Sequence, residues 1–215
     1  MTGSRDLPST AEDARSPIAT CGEESCAGCP AGESVQCHFR LRDHVSLTLV
    51  WAPSILIGGA GVLAAGLAPL VGWAVYMALF FGLVETRVLC SHCPHYQEPG
   101  RVLRCWANRG SLKLWACRPG PLSRVEKWVF LVGLTAVWLF PLAILIGSRQ
   151  WLLLGLFVPA SAAFFVALKL RWCSRCMNFS CPLNGVGADA REVWLARNPG
   201  AASPSRPARD SLRHR

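Results

Sequence analysis

The strongest constraint on this chain is where its charges are missing. No Asp, Glu, Lys, Arg or His occurs between residues 45 and 84, between 128 and 148, or between 150 and 168. A helix crosses the ~30 Å hydrocarbon layer with about 20 apolar residues. The first run is long enough for two crossings, and each of the others for one. Inside a bilayer every backbone polar group needs an internal partner, which a helix supplies. The expected fold is therefore all-α: a polytopic membrane protein with four transmembrane helices in two hairpins, and the lipid bilayer as its first partner.

The expected hairpins are 45–89, with helices at 45–65 and 70–89, and 128–171, with helices at 128–147 and 151–170. The turn of the first falls on Gly66-Leu67-Ala68-Pro69. Helix 1 carries Gly58, Gly59, Ala60 and Gly61, small residues that let helices approach closely in lipid. Pro141 and Pro159 fall inside helices 3 and 4, where neighbours re-satisfy the freed carbonyls. Trp51 and Trp73 suit either a membrane interface or the bundle interior.

Basic residues exceed acidic ones, 22 to 13, for a formal charge of +9. A nucleic-acid partner is one reading of such an excess. The distribution favours another. Arg40, Arg42, Arg87, Arg101, Arg104, Arg109, Lys113, Arg118, Arg124, Lys127, Lys169, Arg171 and Arg175 all lie in segments that an even number of crossings puts on one side. The opposite turns carry little beyond Arg149. Basic residues mark the cytoplasmic side, so the expected location is the plasma (inner) membrane with both termini cytoplasmic, and no nucleic acid is expected.

All eleven cysteines fall on that same side, and none lies within an expected span. A reducing compartment disfavours disulfides and favours metal or redox chemistry. Two words stand out, Cys90-Ser91-His92-Cys93 and Cys173-Ser174-Arg175-Cys176. Each follows directly on an apolar run. Cys-x2-Cys lets two sulfurs reach one metal from a single turn of chain, and two such turns complete a four-sulfur site. The interval from His44 to Cys90 equals that from Lys127 to Cys173, so the chain reads as two hairpin-plus-knuckle units or as two hairpins of ordinary length. In either case helices 2 and 4 run the same way. Packed as neighbours 8–10 Å apart, they would set the two words side by side.

The remaining segments follow from composition. Residues 1–20 read as a disordered tail, with no apolar stretch of signal-peptide type. Residues 21–40 form a second cysteine knuckle with Cys21, Cys26, Cys29 and Cys37; it is too poor in apolar residues to fold without ligand bonds. Its opening spacing is that of a plant-type ferredoxin, but the fourth cysteine is too close for that fold. The loop 90–127 adds His92, His95, Cys105 and Cys117, and its segments 101–107 and 112–118 are expected to lie on the headgroups as short amphipathic turns. Residues 172–187 add Cys181. Residues 188–215 comprise a short amphipathic helix over 188–197 and a basic disordered tail attracted to anionic lipid.

Cys90, Cys93, Cys173 and Cys176 are thus the first candidate ligands. Cys181, Cys105, Cys21, Cys26, Cys29 and Cys37 are available for the same or further sites, with His92 and His95 as lesser candidates. Cys-Pro at Cys29, Cys93 and Cys181 leans toward iron–sulfur cluster(s), while zinc accepts the same thiolates. Glu85 and Arg87 are expected as an ion pair or as solvated groups at the end of helix 2; the alternative is a proton or metal-site role, since an ionisable group within a membrane is a functional candidate. No His pair lies within the spans to hold a haem, and no nucleophile–base set or phosphate loop is evident.

Through Leu89-Cys90-Ser91-His92-Cys93-Pro94-His95-Tyr96, Leu103-Arg104-Cys105-Trp106-Ala107-Asn108, Leu112-Lys113-Leu114-Trp115 and residues 173–184 (CSRCMNFSCPLN), the chain resembles an uncharacterised family of small prokaryotic membrane proteins. The resemblance covers roughly residues 21–185. It implies four membrane helices and cysteine-rich cytoplasmic motifs, and no particular activity. Cys117 departs from the family pattern. The leading functional expectation is electron transfer through cysteine-ligated clusters to a redox partner protein or quinone. The alternatives are a zinc-stapled scaffold or assembly factor, and a metal sensor or metallochaperone.

Overall fold

The structure, a computed structural model, describes residues 29–198. The tail 1–20, Cys21, Cys26 and the tail beyond Asn198 lie outside the described residues. Four helices are long and apolar enough to cross a membrane: α1 (Leu41–Ala65), α2 (Leu67–His92), α3 (Arg124–Gly147) and α4 (Trp151–Arg175). A short α5 (Ala188–Arg197) follows. The described residues contain no strand, only two isolated bridges. The protein is an all-helical membrane protein.

Helices α1 and α3 begin earlier than their uncharged runs, because polar residues can form their first turns outside the apolar layer. Asp43 accepts a hydrogen bond from the Arg40 N–H at 2.8 Å and opens α1. At α3 a capping box forms: Ser123 Oγ accepts from the Glu126 N–H at 3.2 Å, and Glu126 Oε2 accepts from the Ser123 N–H at 3.0 Å. The turn between α1 and α2 is tighter than expected. Gly66 alone, at φ 143°, separates the helices, a conformation open to glycine and costly for other residues. Trp73 is buried in the bundle and donates from Nε1 to the Val137 carbonyl at 2.9 Å.

Helices α1 and α3 pack directly on each other, with α2 and α4 against both. The bundle is tight at one end. A Cβ on Gly58 would crowd Phe157 and Pro141, and one on Gly61 would overlap Leu145. Gln150 closes this end by donating to the Gly61 carbonyl at 3.0 Å. Toward the cysteine-rich end the helices part, and the space between them is a cavity.

Helices α2 and α4 make no extensive contact with each other. The expectation that they are neighbours is therefore corrected: they sit at opposite corners, held apart by the α1–α3 seam. A second correction concerns the loop. Segments 101–107 and 112–118 are not helical; they pair as a hairpin, with a bridge between Val102 and Leu112 and a turn through Gly110 at φ 89°. The alternation Leu112-Lys113-Leu114 carries that strand-like period.

Candidate metal centre

The two cysteine words are built alike. Each helix passes through a π turn, Phe80–Val84 in α2 and Leu168–Trp172 in α4, and ends in a 3-10 turn, Cys90–His92 and Cys173–Arg175; in α2 the α-helical residues Glu85–Val88 separate the two turns, whereas in α4 they adjoin. The residue before each word has φ/ψ of −118/−56° (Leu89) and −106/−50° (Trp172). The closing cysteines have −77/135° (Cys93) and −77/127° (Cys176). Both serines turn back to the carbonyl four residues earlier: Ser91 to Arg87 at 2.6 Å and Ser174 to Leu170 at 2.7 Å. The sequence echo is a structural echo.

Six of the candidate thiols line one cavity: Cys90, Cys93, Cys105, Cys173, Cys176 and Cys181. Its volume is about 520 Å³. The hairpin brings in Cys105, and the loop after Cys176 brings in Cys181. Among the described residues no three Cys, His, Asp or Glu side chains converge tightly enough for a single metal ion. The thiols line the space without closing on one point, and α2 and α4, which lead into the two words, make no extensive contact.

Polar residues fasten the wall. The Asn178 amide donates to the Leu89 carbonyl at 3.1 Å, tying the second word's loop to the end of α2. The Asn184 amide donates to the carbonyls of Cys176 at 2.6 Å and Asn178 at 3.0 Å. Ser180 Oγ donates to the Gly120 carbonyl at 2.8 Å. Asn108 reaches the sulfurs themselves: its side-chain amide lies 3.3 Å from Cys90 Sγ, and its backbone N–H donates to Cys105 Sγ at 3.3 Å. These asparagines were not among the sequence candidates. Their signal was present in the CSRCMNFSCPLN and Arg-Cys-Trp-Ala-Asn stretches, read there only as motif.

Glu85 is not paired with Arg87, as the sequence had suggested. It is buried, lines the cavity, and receives the Asn108 amide at 3.4 Å. Arg87 instead approaches Glu126 at 3.9 Å, which also binds Arg118. His92 belongs to that cluster: Nδ1 meets the Gly120 carbonyl at 3.1 Å and Nε2 lies 3.5 Å from Glu126. His95 accepts the Arg104 N–H on Nε2 at 3.1 Å, which puts its proton on Nδ1, 3.3 Å from Glu98. Both histidines are engaged in holding the loop.

Cys29 and Cys37 do not line the cavity. Their segment docks beside it, where the Gln36 N–H donates to the Arg175 carbonyl at 2.8 Å. Cys37 is buried, and its Sγ accepts from Trp194 Nε1 at 3.0 Å. Cys117 packs behind Cys90, Tyr96 and Leu103 and is not a lining residue.

Burial disfavours the thiolate form. It raises the pKa of Cys93 and Cys176, pushes Cys105 up to about 11, and pushes Cys181 up to about 12. Neighbouring thiols add to the effect: Cys105 and Cys181 act on Cys93, and Cys93 and Cys181 act on Cys176. A set of thiols this close and this dry stays protonated alone and ionises when a cation neutralises it.

The chain matches no family model, no curated protein and no solved structure.

Proposed function

We propose that the six-thiol cavity holds a cysteine-ligated metal centre of iron–sulfur type, and that the protein transfers electrons between it and a membrane partner. One observation carries this reading. Six thiols from two like-built turns, a hairpin and a following loop line a single cavity at one end of a membrane bundle. A tetrahedral zinc site needs four ligands about 2.3 Å from one point. Thiols set around a larger space match the periphery of a cluster, whose iron atoms take one thiolate each. The donor set fits chemically, because N–H groups from Asn108 already point at two of the sulfurs, and such bonds help set a cluster's potential.

Four of Cys90, Cys93, Cys105, Cys173, Cys176 and Cys181, which share the lining, would serve as ligands, the number that a two-iron or four-iron cluster takes. When bound, the centre supplies one-electron chemistry, and the protein supplies burial, hydrogen bonds and position. The basic loops support a cytoplasmic placement of this end in the plasma membrane, where thiols are kept reduced.

The test is anaerobic purification followed by metal and acid-labile sulfide analysis. Iron and sulfide in comparable amounts, with a reducible visible absorption, are expected. Zinc without sulfide would replace this reading with a stapled scaffold, and a metal-free protein that keeps its fold would overturn both.

A further inference from the structure

The cavity is longer than its thiol-lined part. Along α2 its lining runs from Cys90 down to Met77, about 20 Å at helical rise. Below Glu85 the walls lose their polar groups. They are formed by Trp51 and Ile55 of α1, Met77 and Phe81 of α2, and Leu134 and Trp138 of α3. The floor ends at the Gly58–Gly61 seam. Glu85 is the only carboxylate in the lining and is 8% exposed. Ala78 both lines the cavity and is exposed, the position of an entrance from the bilayer.

We infer that this apolar floor binds the head group of an isoprenoid quinone. The inference rests on the reading of the thiol end as a redox centre. Ligand sites between helices are largely apolar with a few placed polar groups. The floor lies at membrane level, so its occupant arrives through lipid. Flat indole and phenyl walls suit a planar ring, and Glu85 and Asn108 stand where the carbonyl end of that ring would meet hydrogen-bonding groups. A plain acyl chain would fit the walls but make no use of the buried Glu85 carboxyl, which the Asn108 amide holds at 3.4 Å at the top of the floor, and interior ionisable groups in membrane proteins mark functional paths.

The reaction balances simply. The quinone takes two electrons, one at a time, from the reduced metal centre, and two protons from water at the cysteine-rich end. Both C=O groups become C–OH. On this reading the centre would pass one electron at a time and be re-reduced after each transfer by a soluble electron-carrier protein, two such transfers completing the quinol.

Decylubiquinone, a short-tailed analogue, is the probe. Titrated into the purified full-length protein in detergent, it should quench tryptophan fluorescence saturably, in metal-loaded and metal-free protein alike. Ala78→Trp should weaken that quenching at least tenfold while leaving metal content, sulfide content and helical circular dichroism unchanged. Ala78→Phe is the milder second variant should the first not fold. Equal quenching in wild type and folded variants, or quenching without saturation, overturns the quinone site and leaves the metal centre standing. Saturable, variant-sensitive quenching in protein that carries neither iron nor sulfide upholds the site and sinks the metal reading instead.

Discussion

The side-chain amide of Asn108 lies 3.3 Å from Cys90 Sγ. The same nitrogen reaches Glu85 at 3.4 Å, so one amide links the buried carboxyl to the thiol wall. Replacing Asn108 with leucine keeps the side chain's branching and removes both contacts. Groups that orient a metal's ligands typically carry about 10–100-fold in metal affinity, and N–H bonds to sulfur raise a cluster's potential. Asn108→Leu should therefore lower the midpoint potential and weaken metal retention by about tenfold or more. Redox titration and competition with a chelator check it; an unmoved potential with full retention would show the amide to be incidental.

The seam opposite the cavity tolerates little added volume. A methyl group at Gly61 overlaps Leu145, whereas one at Gly59 meets only an ordinary contact with Trp73 at 3.5 Å. Overpacking of this kind costs about 1–3 kcal/mol. Gly61→Ala should lower the thermal midpoint in detergent, and Gly59→Ala should leave it nearly unchanged. Equal midpoints for the two variants would contradict the seam.

The matched serines allow a paired comparison. Ser91 is fully buried and Ser174 is not, although both donate to the carbonyl four residues back. A lost hydrogen bond costs about 0.5–1.5 kcal/mol, and a buried carbonyl left without its partner costs more. Ser91→Ala should thus destabilise more than Ser174→Ala in thermal or denaturant unfolding. The reverse order would mean that the two turns are not equivalent supports.

The raised thiol pKa values carry a sign that can be measured. The ordinary value is 9.0, and burial lifts Cys105 to about 11 and Cys181 to about 12. The native state thus holds these protons more tightly than the unfolded chain does. Their contribution to the metal-free fold is fully present below pH 9 and is lost as pH rises through 11 to 12. The metal-free protein should accordingly lose thermal stability across that window, and alkylation of these thiols near neutrality should be slow. Metal loading works the other way, releasing protons and weakening as pH falls. A metal-free stability that climbs from pH 9 to 11 would sink the account.

Much of the architecture was legible because lipid imposes strict rules. Uncharged runs located all four spans, and α5 falls at Ala188–Arg197 as its pattern implied. The cysteine words announced themselves by spacing. What stayed hidden was lateral placement. Nothing in Cys90 or Cys173 says that their helices occupy opposite corners; that depends on Gly58 and Gly61 drawing α1 against α3 and α4. The 101–118 hairpin was missed because Trp106 and Trp115 suggested an interface, while the turn chemistry of Asn108-Arg109-Gly110 went unweighed. The burial of Glu85 is hidden for a related reason: its partner, Asn108, is brought to it only by that hairpin.

The glycine seam has a further consequence for energetics. The cavity lies toward the cysteine-rich end and the seam closes the other, so in the proposed quinone reaction charges entering at the cysteine-rich end and leaving as a neutral quinol would not cross the seam. Turnover at the proposed quinone site would on that geometry be electroneutral. Protein reconstituted in vesicles would work at the same rate whatever voltage is clamped across the membrane, and it would neither build nor drain a proton-motive force.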